Sequence, residues 1–108
     1  MPTLPEDGTT FTVVTIMLSW TASYSLGPDQ FFEITLRYTH DGEEVVLPTY
    51  SQTWQWFVDP ALYLQADQET NRAYYWHIRA VLKDTDAAGR ATYIPISPIS
   101  EERVFYWK

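Results

Sequence analysis

The chain contains no cysteine. That excludes a disulfide framework, a thiolate zinc site and a cysteine nucleophile. Positive charge is scarce: seven Lys and Arg face fourteen Asp and Glu, for a formal net charge of −7 over 108 residues. Nucleic acid and anionic membrane surfaces call for a basic footprint, so neither is expected as a partner. No apolar run approaches the roughly 18 residues that a membrane-spanning helix needs, and no membrane insertion is expected. The opening residues 1–8 have neither the basic nor the apolar segment of a signal peptide. There are only two histidines, His40 and His77. Internal repeats, low-complexity stretches and amphipathic helical patterns are also missing, which argues against α/β enzyme folds.

What is present is a large apolar payload. Hydrophobic residues make up 45% of the chain, and five Trp, eight Tyr and five Phe exclude general disorder. The length fits a single domain over residues 1–108. The Pro- and Thr-containing residues 1–8 read as the remnant of a semi-rigid linker. That opening favours a piece of an exported parent protein, placed outside the cell or at its surface; a cytoplasmic protein is the alternative.

The dominant period is two. Residues 13–20 alternate, with Val14, Ile16, Leu18 and Trp20 on one face. Phe32, Ile34, Leu36 and Tyr38 alternate with Phe31, Glu33, Thr35 and Arg37. Asp41-Gly42 follows as a hairpin turn, and residues 43–47 return, with Pro48 confining that strand to an edge. Residues 53–58 form another strand candidate carrying Trp54 and Trp56. Asp59-Pro60 reads as a helix start of about one turn. Residues 73–83 place Tyr74, Trp76, Ile78 and Ala80 on one face and Tyr75, His77, Arg79 and Val81 on the other. A last strand over residues 91–107 is interrupted by Pro95 and Pro98. About seven short strands with turns between them predict an all-β fold, a two-sheet antiparallel sandwich of immunoglobulin-like type.

The ordered set Leu18-Ser19-Trp20, Phe32-x-Ile34-x-Leu36-x-Tyr38, Tyr74-x-Trp76-x-Ile78-x-Ala80 and Ser97-Pro98-Ile99-Ser100-Glu101 with Arg103-x-Phe105 resembles a fibronectin type III domain of the bacterial extracellular kind. The resemblance covers nearly the whole chain. It implies a core on Leu18, Trp20, Ile34, Leu36, Tyr74, Trp76, Ile78 and Phe105, with Tyr74 as the corner tyrosine whose hydroxyl bonds to backbone upstream. The family's Leu-x-Pro-Gly before that tyrosine is missing; residues 62–66 stand there instead. No Arg-Gly-Asp occurs, so an integrin-binding role does not carry over. The lack of cysteine fits this family better than antibody-type domains.

Neither histidine has the local signature of a nucleophile–base pair, so no catalytic residues are expected. Glu43-Glu44 and Glu101-Glu102 are adjacent on strands and point to opposite faces, which rules against a converging carboxylate pair. Asp84-Thr85-Asp86 before Gly89 is a faint echo of a calcium loop without its remaining ligands; no metal and no cofactor are expected. The candidate contact residues are Tyr24, Tyr75, His77, Asp84 and Asp86, for a protein or carbohydrate ligand. A cross-strand polar ladder near Glu33 or Arg37 accounts for His77 otherwise. The charge is uneven: residues 1–50 carry −6 and residues 51–108 carry −1, with Asp41, Glu43 and Glu44 clustered at the hairpin. The resemblance implies a non-catalytic, monomeric spacer or adhesion module whose partners are neighbouring domains of its parent chain. A ligand-binding module is the alternative.

Overall fold

Alternation of apolar and polar side chains makes β4 (Gln30–His40) and β7 (Ala73–Thr85) the two long strands of the molecule. They pair antiparallel, with Phe32 opposite Ala80, Ile34 opposite Ile78 and Leu36 opposite Trp76. All six are buried, as are Tyr38 and Tyr74. The computed structural model describes residues 1–13, 15–22 and 26–108.

The β4–β5 hairpin turns on Asp41 and Gly42, at φ of 50° and 79°. Two successive positive φ values match the twist of the flanking strands, and Asp-Gly tolerates both. The return strand β5 (Glu43–Ser51) runs on past Pro48 and lies at the sheet edge, where a missing ladder N–H costs least. On the other side of β7 lie β8 (Ala91–Pro95) and β9 (Arg103–Trp107), and β2 (Thr9–Phe11) joins β9 in parallel. The six-stranded sheet therefore has the order β2-β9-β7-β4-β5, with β8 on the second half of β7. The second sheet is β1 (Pro2–Leu4), β3 (Met17–Trp20) and β6 (Gln55–Phe57), in the order β1-β3-β6.

The result is the expected all-β, two-sheet sandwich, with nine strands rather than about seven among the described residues. Three differences add to the count, the first being β2 (Thr9–Phe11), which the pattern did not announce. The opening segment, expected to be a linker remnant, supplies β1; Pro2 and Pro5 are buried, and the Met1 amine donates to the Thr21 carbonyl. The last strand is split by its prolines. Between β8 and β9 the chain leaves the ladder, and serine hydroxyls take over its acceptors: Ser97 Oγ accepts from Ala80 N–H and Ser100 Oγ from Ile78 N–H, at 2.8 and 2.9 Å. Buried backbone N–H groups stay paired without a continuous partner strand. The strand expected over 13–20 is shorter, and Val14 lies outside the described residues. The strand expected over 53–58 begins only at Gln55, which leaves Trp54 47% exposed while Trp56 packs against the core.

Trp20, Trp76, Trp107, Tyr74, Phe32 and Phe105 are the bulk of the core. Tyr74 stacks on Phe105 with ring centroids 5.3 Å apart, and Trp20 meets Phe32 edge-on at 5.6 Å. Trp107 Nε1 donates to Val13 O at 2.7 Å, whereas Trp20 Nε1 and Trp76 Nε1 have no partner among the described residues. An unpaired buried N–H costs about 1–3 kcal/mol. Burying about 200 Å² of indole at ~25 cal/mol per Å² returns about 5 kcal/mol, so burial wins.

The Tyr74 hydroxyl donates to Leu62 O at 2.5 Å and accepts from Ala66 N–H at 3.0 Å, the upstream backbone bonding expected of it. Asp59 caps a 3-10 turn at Pro60–Leu62 by accepting from Ala61 N–H, as its position before Pro60 predicted. A second 3-10 turn spans Gln68–Thr70. Arg72 then binds Leu64 O and Ala66 O through one guanidinium nitrogen. These contacts close the corner between β6 and β7 without a Leu-x-Pro-Gly sequence.

Candidate functional site

The outward faces of β4 and β7 bring the polar residues together. In register, Glu33 faces Arg79, Thr35 faces His77 and Arg37 faces Tyr75. Glu33 is only 6% exposed although it points away from the core. Arg79 Nε donates to Glu33 Oε1 at 2.6 Å, and the Tyr50 hydroxyl, arriving from β5, donates to Oε2 at 3.0 Å. Tyr50 stacks on Tyr93 of β8 at 3.7 Å, and Phe31 meets Tyr93 edge-on at 6.3 Å. The aromatic rings from β4, β5 and β8 thus close over an ion pair. Burial, then the bond to Glu33, pushes the Tyr50 hydroxyl up to about 12.

Further along the same face, Arg37 makes a two-pronged contact with Glu102, at 3.1 and 2.7 Å, and its guanidinium carbon sits 4.2 Å above the Tyr75 ring. A cation over an aromatic face is attracted by the ring quadrupole. His77 lies between these two groups with its side chain 19% exposed, and its Nδ1 is 4.0 Å from Glu102. Burial holds its imidazole below the usual range, and Glu102 and Glu33 oppose that only in part.

The expected contact residues are therefore spread over different places. Tyr75 and His77 share the outward face, where Arg37 covers the Tyr75 ring. Asp84 and Asp86 stand at the far end of β7 and serve their own turn: Asp84 Oδ1 accepts from Thr85 N–H, and Asp86 Oδ1 from the N–H groups of Ala88 and Arg90. Tyr24 lies outside the described residues.

A second cluster forms at the opposite end, where the β4–β5 hairpin meets the corner before β7. Asp67 carboxylate oxygens accept from Asp41 N–H and Gly42 N–H, at 2.7 and 2.8 Å. Those two bonds hold the Asp67 carboxyl below the usual range. His40 Nδ1 contacts Gln65 O at 2.7 Å, and His40 Nε2 lies 3.3 Å from Asp41 Oδ2. The Gln65 carbonyl, then Asp41, raises the His40 imidazole. Among the described residues, His40, Asp41 and Asp67 are the one group whose potential ligand atoms converge, all within 4.8 Å of one another. Only Asp41 was visible as part of an acidic hairpin; Asp67 is 26 residues away in the chain, and a turn aspartate there carries no local signal of its partner. Among the described residues, Phe57 on β6, Trp54 just before it and Tyr63 are further exposed aromatic side chains.

No helix among the described residues is long and apolar enough to cross a membrane. No family model, no curated protein and no solved structure matches this chain.

Proposed function

We propose that this chain is a non-catalytic sandwich module of fibronectin type III kind, acting as a spacer or adhesion unit within a larger cell-surface or secreted bacterial protein. The supporting observation is the disposition of the chain ends. Met1 shares a surface hollow with Ile78, Arg79 and Ala80, whereas Trp107 N–H, next to Lys108, bonds to Arg72 O. The offset of six to eight residues along β7 separates the ends by roughly 20–26 Å. In a body of 42 × 32 × 22 Å, such a module lengthens a chain rather than folding it back. The Tyr74 corner and the two-sheet order agree with the family reading. The non-catalytic reading rests on the histidines, whose hydrogen-bond and ion-pair contacts among the described residues are to a carbonyl and to carboxylates.

Two copies joined end to end test the spacer directly. Small-angle scattering is expected to show a maximum dimension longer than that of one copy by about the 20–26 Å that separates the chain ends. Side-by-side packing of the two copies would overturn the spacer reading. The gene is also expected to encode linkers or further domains on at least one side.

A carbohydrate- or protein-binding module is the second reading, favoured by the exposure of Trp54 and of Phe57. Intrinsic fluorescence titrated with cell-wall and plant polysaccharides reports on it, since Trp54 is the exposed indole among core ones. A flat response over a broad glycan panel removes the carbohydrate version.

A further inference from the structure

His40 Nδ1 faces a carbonyl oxygen, which can only accept, so Nδ1 carries the proton in that contact. In the neutral ring, Nε2 then bears a lone pair. That nitrogen lies 3.3 Å from a carboxylate oxygen of Asp41, which also offers only lone pairs. Nε2 and that carboxylate are bridged either by a second imidazole proton, which makes an ion pair, or, in the neutral ring, by a metal ion. Asp67 converges from the corner, and each of its oxygens spends one acceptor site on a hairpin N–H, leaving the others open. A surface hollow of about 370 Å³ adjoins the group, lined by Thr39, Asp41, Gly42, Asp67, Glu69 and Thr70.

We propose that His40, Asp41 and Asp67 bind a divalent transition-metal ion of the zinc class. One neutral imidazole and two carboxylates suit such an ion, and its charge offsets theirs. Zinc bonds of about 2.0–2.1 Å in a tetrahedron put neighbouring donors roughly 3.3–3.4 Å apart; His40 and Asp41 stand at 3.3 Å, whereas all three donors lie within 4.8 Å, so Asp67 draws in when the ion binds. The Gln65 carbonyl fixes the ring as an outer partner fixes a metal-bound imidazole, with Nδ1 held and Nε2 left free. The hollow leaves room for water to complete the coordination. An ion there ties the β4–β5 hairpin to the corner before β7, two segments also joined by the Asp67 carboxylate, by the Asp67 N–H bond to Thr39 O and by His40 Nδ1 on Gln65 O. The imidazole separates this site from a plain acidic patch, because calcium and magnesium prefer oxygen alone. The proposal does not depend on the module's role in its parent protein.

Calorimetric titration with zinc chloride at about pH 8, above the ordinary imidazole range, tests it. One equivalent is expected to bind and to raise the melting temperature. His40→Gln is expected to weaken binding roughly tenfold or more, and His77→Gln to leave it unchanged. Asp41→Asn, at a side chain 87% exposed, is expected to weaken it too without loosening the fold. Melting curves without metal check each variant. Absence of one-to-one binding up to millimolar zinc, or full affinity in His40→Gln, overturns the proposal. So does calcium binding as tightly as zinc and indifferent to His40.

Discussion

On the inward face of β4 and β7, Phe32, Ile34 and Leu36 meet Ala80, Ile78 and Trp76. On the outward face, Phe31, Glu33, Thr35 and Arg37 meet Val81, Arg79, His77 and Tyr75. The same two strands supply both sets, one residue out of step. The inward set is held by burial, which is non-directional and roughly proportional to area. In the outward set, Val81 is buried like the inward residues, whereas Glu33, Arg37, His77 and Arg79 are held by pairing with named partners. A one-residue slip would exchange the two sets and drive Glu33 and Arg37 into the core. The outward charges therefore help fix the register that the inward side chains stabilise.

The largest expected effect belongs to the inward face. Trp20→Ala removes a fully buried indole packed edge-on against Phe32, and a change of this size costs about 3–5 kcal/mol. Denaturant unfolding monitored by circular dichroism measures it. A cost near that of a surface substitution would mean that the inward face does not depend on close packing. On the outward face the loss depends on which partners remain. Arg79→Leu leaves Glu33 buried with only the Tyr50 hydroxyl and is expected to cost about 2 kcal/mol. The double change Glu33→Leu with Arg79→Leu is expected to recover most of that, because removing both charges leaves no unpaired carboxylate. Equal losses in the single and double variants would erase the distinction between the faces.

The inward face was legible in the sequence because burial imposes a strict period of two on β4 and β7. Every inward position read there, from Phe32 to Tyr38 and from Tyr74 to Ala80, is buried. The outward face was legible only as far as adjacent strands reach. His77 as part of a polar ladder follows from β4–β7 pairing, but the burial of Glu33 needs Tyr50 and Tyr93 to lean across two intervening strands. No local pattern encodes that. The corner before β7 was obscure for the same reason: Arg72 reaches back to Leu64 and Ala66, and Leu64, Asn71 and Arg72 adopt left-handed φ near 60° without a glycine to announce it. Residues 53–58 look like one strand, while the ladder begins at Gln55, so Trp56 packs against the core and Trp54 is exposed. The His40–Asp67 cluster depends on two turns meeting, and turn residues carry little information about distant partners.

Tyr74 places a polar group on the inward face, so its removal shows whether the comparison holds atom by atom. Tyr74→Phe keeps the ring on Phe105 and deletes only the hydroxyl. Ala66 N–H then loses its acceptor, and Leu62 O keeps only the Gln65 N–H at 3.2 Å. The expected cost is about 1–2 kcal/mol, below that of Trp20→Ala and close to that of breaking the Glu33 pair. Faster hydrogen exchange is expected at Ala66 rather than in β4. Unchanged stability would mean that the corner is held by Arg72 alone.

The smallest effect is the pH response of His77, and it is the one that the inward face cannot show. Burial lowers its folded-state pKa below 6.5, against the attraction of Glu102 and Glu33 and alongside the repulsion of Arg79 and Arg37. A lowered folded value means that the unfolded chain takes up the proton more readily. The contribution is therefore fully present above about pH 6.5 and lost as pH falls through the folded value. Carboxylates begin to titrate at the lower edge of the same range, so the wild-type melting temperature alone cannot isolate it. His77→Gln keeps a polar side chain at the position and removes the titration. The difference in melting temperature between wild type and His77→Gln is expected to shift against the wild type between about pH 7.5 and 5, with the larger loss in the wild type. A difference that stays constant with pH would show that the outward ladder accommodates a charged imidazole without cost. A shift in favour of the wild type would mean that Glu102 outweighs burial and the face behaves as an open surface.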